Sequence, residues 1–231
     1  MIRGLKPYPT YKDSGVPWLR KVPEHWDIKR NKFLLREVNE RSEDGSEELL
    51  TVSQYTGVSR RRVRLTGGNV LLTNAASLVG YKRVMPGDLV INIMLAWNRS
   101  LGVSSFAGIV SPSYSVFRTK TNSVEPLFLH YLFRSPLFIG AFKTVSTGVV
   151  DSRLRLYPDV FLRLPSIVPP FSEQIAIVRF LGWVEQRIRR LIRARKKRIT
   201  LLEEYKEALI HKVVTGQFDV RTGKPYPAYK D

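Results

Sequence analysis

The sequence predicts an α+β fold: one globular domain of mixed strands and short helices, followed by a long α-helix that forms a coiled coil. Three observations carry this. Short β-branched and aromatic runs alternate with turn signals through residues 49–118. Two apolar segments, Pro126 to Arg134 and Pro136 to Thr144, each open on a proline suited to the first helical position. A proline-free stretch from Ser172 to about Val214 then carries apolar residues at heptad spacing.

Taken in order, residues 1–25 hold Pro7, Pro9, Pro17 and Pro23 with Tyr8, Tyr11 and Trp18 between them, and Trp26 follows. Prolines fix φ and lack a donor, so an extended arm without helix or strand ladder is expected, pinned by its rings. Ser42-Glu-Asp-Gly-Ser46 is a loop, and Met85-Pro-Gly-Asp88 a turn. Strands are expected over Leu49–Ser53, Leu78–Val84, Asp88–Leu95, Gly102–Phe106 and Tyr114–Arg118, and again over Val160–Val168 after the two helices. The globular domain is drawn over 26–168.

Pro169-Pro170 closes that domain, because a residue before proline is pushed out of the helical region. Ser172 is the expected N-cap of a helix assigned to 169–215, with Glu173 and Gln174 in its first turn. Leu181, Ile188, Leu202 and Leu209 recur by sevens, with Arg195 in the intervening slot. Ile192, Ile199 and Val213 form a companion row interrupted by Lys206. The spacing favours helix-to-helix pairing through Leu181, Ile188, Ile192, Ile199, Leu202 and Leu209; a core helix lying on its own domain is the alternative. Thr215-Gly216 supplies the stop.

The chain also repeats itself. Lys6-Pro-Tyr-Pro-Thr-Tyr-Lys-Asp13 returns as Lys224-Pro-Tyr-Pro-Ala-Tyr-Lys-Asp231, differing only at Thr10 and Ala228. Residues 216–231 are therefore expected to be a tail that starts a second repeat unit, whose partner copy would complete the protein. A repeated linker is the plainer reading.

Among 231 residues, 38 Lys+Arg face 20 Asp+Glu, a formal charge of +18 that favours a polyanionic partner. The absence of cysteine excludes disulfides, thiolate zinc sites and cysteine nucleophiles. No apolar run approaches a membrane span, so a cytoplasmic protein without a membrane partner is expected. No His-x-x-x-His spacing, Walker loop or GxGxxG turn occurs. Asp88, Glu125, Asp151 and Asp159 have no nuclease spacing and read as turn and cap residues. No catalytic residue, metal or cofactor is expected.

What the sequence does concentrate is cations and amides at loop edges. Arg60, Arg61, Arg62 and Arg64 precede Asn69 across a Gly-Gly pair, and arginine forks suit phosphate or the guanine edge. A solvated basic strand is the competing reading there. Lys82, Arg83, Asn98 and Arg99 flank an apolar strand, with Trp97 equally a core or a contact residue. Thr147 precedes Arg153 and Arg155, which share one face of an extended chain opposite Leu154 and Leu156. Arg187, Arg189, Arg190, Arg193, Arg195, Lys196, Lys197 and Arg198 encircle the helix, either as a solvated surface or facing phosphate or an acidic protein.

Tyr8-Pro-Thr-Tyr-Lys-Asp-Ser-Gly-Val-Pro-Trp-Leu19, Val22-Pro-Glu-His-Trp26, Pro169-Pro-Phe-Ser-Glu-Gln174, Glu203-Glu-Tyr-Lys-Glu-Ala-Leu-Ile210 and Val213-Val-Thr-Gly216 together resemble the arm and helix phrases of DNA-specificity subunits of type I restriction-modification systems. The resemblance spans essentially the whole chain. It implies a non-catalytic subunit whose globular part is a target-recognition domain reading one half of a bipartite duplex-DNA target. Its helix would act as a spacer that docks methyltransferase subunits, with methyl transfer and ATP-driven cleavage belonging to those subunits and to a restriction subunit. Full-length members carry two domains and two helices, whereas this chain has one of each; two copies pairing through the helix would restore the pattern as a homodimer. The alternatives are an RNA-binding or ribosome-associated basic protein, an enzyme with a hidden nuclease site, and a coiled-coil adaptor.

Overall fold

In a computed structural model of the protein, the structure describes residues 5–61, 65–66, 69–70, 77–150 and 154–222. The chain divides into two compact units, Met1–Val178 and Arg179–Asp231.

The first unit opens with β1 (Tyr11–Asp13) and β2 (Lys21–Pro23), which pair antiparallel with Tyr11 opposite Pro23. The arm therefore does form a ladder, contrary to the sequence expectation. Its prolines fall outside the paired donors or at a strand end, where a missing N–H is tolerated. β3 (Asp27–Arg30), the single-turn α1 (Asn31–Leu34) and β4 (Leu35–Val38) follow. Then come two hairpins, β5 (Leu50–Ser53) with β6 (Gly57–Arg60), and β7 (Leu65–Thr66) with β8 (Asn69–Val70). Next are β9 (Lys82–Val84), β10 (Leu89–Asn92), a 3-10 turn at Ala96–Asn98, β11 (Leu101–Val103), β12 (Gly108–Val110) and β13 (Tyr114–Thr119). The strand expected from Leu78 is confined to β9.

A four-stranded antiparallel sheet in the order β11-β10-β13-β4 is buried on both faces. Period-2 alternation divides its residues between two cores. Val90 and Val116 face Val38, Val52, Val58, Val84 and Val110. Leu89, Ile91 and Phe117 face the helices α2 (Pro126–Phe133), α3 (Pro136–Val145) and α4 (Pro158–Arg163). Both α2 and α3 start at the expected prolines, capped by the Glu125 and Ser135 side chains. Rings dominate this second core: Phe161 lies 4.8 Å from Phe117, 5.2 Å from Phe133 and 5.9 Å from Phe142, centroid to centroid.

Residues 160–168 correct the expectation of a single strand. α4 occupies the first part and β14 (Pro165–Val168) the rest, paired to β3. The helix signal was there in Tyr157-Pro158-Asp159, a proline at the first position and a carboxylate in the first turn. Asn31 ties the two pieces, donating from Nδ2 to the Phe161 carbonyl at 2.9 Å and accepting from Ser166 Oγ at 2.6 Å.

The turn at Met85-Pro-Gly-Asp88 is held as the sequence reading required. Asp88, 1% exposed, accepts from Met85 N–H at 2.9 Å and receives a bidentate Arg118 fork at 2.7 and 2.8 Å. Its hydrogen bonds and charge raise the Arg118 pKa further above its ordinary value, against the opposing effect of burial. Asp88 is a structural anchor.

α5 (Phe171–Val214) begins in the first unit and makes up most of the second. At about 1.5 Å per residue it runs on the order of 65 Å. It starts one residue before the expected cap at Ser172, because the Pro170 carbonyl already accepts from the N–H groups of Glu173 and Gln174. Gln174 is buried and fully paired, donating to the Ser123 and Pro169 carbonyls and accepting from Glu125 N–H. Glu173 fastens the arm: its carboxylate accepts from Tyr8 Oη at 2.9 Å and Trp26 Nε1 at 3.1 Å, and meets His25 Nε2 at 2.6 Å.

That clasp has a pH signature. Burial disfavours the Glu173 charge, but the hydrogen bonds from His25, Trp26 and Tyr8 outweigh it and hold the pKa below its usual value. A depressed carboxylate pKa contributes stability above the unfolded value and loses it as pH falls through the folded one. Burial and the Glu173 contact push Tyr8 up to about 12, so its contribution is full below the ordinary value near 10 and is lost as pH rises through about 12. Trp26 fluorescence should therefore be flat near neutrality and change at both extremes. In Glu173→Gln the acid transition should disappear.

Candidate nucleic-acid interface

Two loops and a helix end meet at one edge of the first unit. The 3-10 turn Ala96–Asn98 buries Ala96 and exposes Asn98 and Arg99, with Arg99 in the left-handed region at φ 61°. Trp97 proves to be a scaffold ring, half-buried, donating Nε1 to the Met94 carbonyl at 3.0 Å with Lys143 Nζ 5.7 Å from its centroid. Lys143 lies in the last turn of α3, and Thr147 follows it. Thr147 and Arg155 exchange both backbone hydrogen bonds, at 3.1 and 2.9 Å, and Leu156 N–H reaches the Ile93 carbonyl at 2.9 Å. Leu154 and Leu156 are buried while Arg155 is exposed, so the alternation read from the sequence sets the arginine outward. Asn98, Arg99, Thr147 and Arg155 thus belong to one connected edge. Among the described residues neither Arg99 nor Arg155 has a carboxylate partner.

The other expected cations group elsewhere. Arg60, at the far end of β6, pairs with Glu48 at 3.2 Å and lies 5.0 Å from the Phe106 ring; Arg83 pairs with Glu47 at 3.2 Å. Arg61 is exposed and donates its backbone N–H to the Leu49 carbonyl. Lys82 is 8% exposed, 3.8 Å from Glu37, and burial lowers its pKa against the pull of that carboxylate. A buried ammonium does not reach a surface ligand, so Lys82 serves the core of this group. Glu37, Glu47 and Glu48 offset much of its positive charge, and an uncompensated cation attracts phosphate more strongly. Arg62, Arg64, Arg153 and the side chain of Asn69 lie outside the described residues.

The edge also contains residues the sequence reading passed over. Gln54, Tyr55 and Thr56 cap the β5–β6 hairpin, and Tyr55 is 82% exposed. The signal in the sequence was Gln54-Tyr55-Thr56-Gly57, an aromatic residue beside a turn glycine between two strand-forming runs.

Along α5, Ile188, Ile192, Ile199, Leu202 and Leu209 are all exposed, and Leu181 is half-exposed. Phe180, Val184, Leu191, Leu201 and Tyr205 add to the apolar surface of this helix. Val184, Leu191 and Tyr205 follow Leu181, Ile188 and Leu202 by three residues, so they lie on the same face and widen the seam. Among the described residues no helix is long and apolar enough to cross a membrane, and no group of three or more His, Asp or Glu is placed to hold a metal ion.

No protein-family model matches the chain, and no curated protein matches it. Solved structures do. The HsdS subunit from Thermoanaerobacter tengcongensis is similar over 89% of this chain and 52% of its own, at 19% identity and a TM-score of 0.57. A chain from a structure of the complex assembly and conformational transition of the type I R-M system matches over 90% of this chain and 53% of its own, at 17% identity and a TM-score of 0.58. The chain has the HsdS fold. It spans about half the length of each of these HsdS-like structures. At the level of fold the resemblance carried by the arm and helix phrases is borne out, as is the α+β class with its long C-terminal helix.

Proposed function

We propose that this chain is a non-catalytic DNA-recognition subunit of a type I restriction-modification complex, reading one half of a bipartite duplex target. The HsdS fold over about nine-tenths of the chain carries the reading. The edge bearing Asn98, Arg99, Thr147 and Arg155 supports it, because it offers amide and hydroxyl groups for base edges beside arginines without acidic partners. The long helix supports assembly. Its exposed row at Ile188, Ile192, Ile199, Leu202 and Leu209 suits pairing with a second copy of the chain, and the remaining surface of the helix is left for methyltransferase subunits. Twofold pairing makes the target an interrupted palindrome.

The purified chain should select such a palindrome from a randomised duplex library. A basic protein binding without preference would enrich no motif. Within that assay Arg99→Ala and Arg155→Ala should each weaken target binding by about 1–3 kcal/mol if they contact bases, and relax one position. Arg83→Ala, already paired with Glu47, should change preference little. Fluorescence anisotropy over a salt series measures both effects.

A further inference from the structure

Arg134 is an arginine without an obvious surface role. It is the C-cap of α2, only 7% exposed, and its guanidinium spends its donors on backbone carbonyls from two separate loops. Nη1 reaches the Arg99 carbonyl at 2.8 Å, Leu101 at 2.7 Å and, more loosely, Ser53 at 3.4 Å. Nη2 reaches the Gln54 and Tyr55 carbonyls, both at 3.0 Å. These carbonyls belong to the hairpin turn, to the loop before β11 and to the strand ends beside them. The planar fork can serve several at once in fixed directions, which an ammonium cannot.

The surroundings hold the fork still. One turn earlier on α2, His130 accepts from Val103 N–H through Nδ1 at 3.2 Å. Gly57, at φ 74°, and Gly102 let β6 and β11 close on its ring: a Cβ at either would come within 3.0 or 3.1 Å of it. Burial and the neighbouring Arg134 charge push the His130 pKa down to about 4, so the ring is neutral across the physiological range. Ser100 Oγ adds a further tie, donating to the Val52 carbonyl at 2.8 Å.

We propose that Gln54, Tyr55 and Arg99 form one composite base-reading element, and that Arg134 is the positioning residue that locks its two loops together. This rests on the DNA-recognition reading above and deepens it. Carbonyl oxygens bound to one guanidinium lie within about 8 Å of one another. At about 3.4 Å per base pair, loops that close address the same two or three consecutive pairs. The chemistry on offer suits that task. Glutamine matches the adenine N6/N7 edge, arginine the guanine O6/N7 edge, and an exposed tyrosine ring packs on a thymine methyl or a sugar.

The test uses the full chain and a randomised duplex library. Tyr55→Ala, Gln54→Ala and Arg99→Ala should each reduce preference roughly tenfold or more at positions within one run of two or three adjacent base pairs. Arg134→Gln should relax all of those positions together, although Arg134 itself touches no DNA, and should leave the salt dependence of affinity unchanged. A merely structural arginine would lower affinity at every position equally. Tyr55, fully outside the core, keeps the test valid if the Arg134 variant folds poorly. Effects of Tyr55→Ala and Arg99→Ala at separated positions, or at none while the parent chain still selects a motif, would overturn the composite element alone. A parent chain that selects no motif would overturn the recognition reading and this inference with it.

Discussion

In the self-pairing proposed for α5, Ile192→Asp together with Ile199→Asp should abolish the dimer and leave a monomer. Both side chains are about half exposed, at 50% and 55%, on the heptad row of α5. In a twofold pair the two substitutions remove four isoleucines from the seam, each contributing about 1.5–3 kcal/mol when fully buried. They also place four carboxylates in an apolar contact. The combined loss, on the order of 6 kcal/mol or more, raises Kd by at least about 10⁴. Sedimentation equilibrium should show twice 26.6 kDa for the parent chain and 26.6 kDa for the variant. A parent chain that sediments as a monomer at tens of micromolar would refute self-pairing.

Phe161→Ala should be the most destabilising single truncation in the globular unit. Phe161 is fully buried at the meeting point of Phe117, Phe133 and Phe142, and its carbonyl anchors Asn31. Removing a ring from a close-packed site costs the transfer energy of its carbons plus a cavity, about 3–5 kcal/mol. For a unit of this size that lowers Tm by roughly 10 °C. Phe33→Ala, at a 61% exposed ring, should change Tm by no more than a degree or two. Differential scanning calorimetry on the three proteins decides between them.

Local signals with a single physical reading were legible in the sequence. Pro126 and Pro136 mark helix starts, the Met85–Asp88 turn forms, and the run after Pro170 is one helix. Features set by tertiary pairing were not. Residues 160–168 are mostly apolar, with β-branched Val160, Ile167 and Val168, yet Pro158 and Asp159 start a helix there, and a strand forms only where β3 offers a partner. The arm's ladder was hidden because Pro7, Pro9 and Pro17 fall outside the paired residues and Pro23 at a strand end, a register that composition does not show. The cations were legible as a class but not as a site. Only folding shows that Glu47 and Glu48 neutralise Arg83 and Arg60, that Lys82 is buried, and that Arg99 shares an edge with Arg155. Arg134 carried no sequence signal, since its partners are backbone carbonyls far away in the chain.

Base-resolution mapping of N6-methyladenine tests the central claim most directly, in cells expressing a type I methyltransferase subunit with and without this chain. The expected result is a new gapped palindromic motif that requires the chain and loses preference at defined positions in Arg99→Ala. A folded chain that co-purifies with the methyltransferase yet adds no methylated motif would contradict the assignment as a specificity subunit.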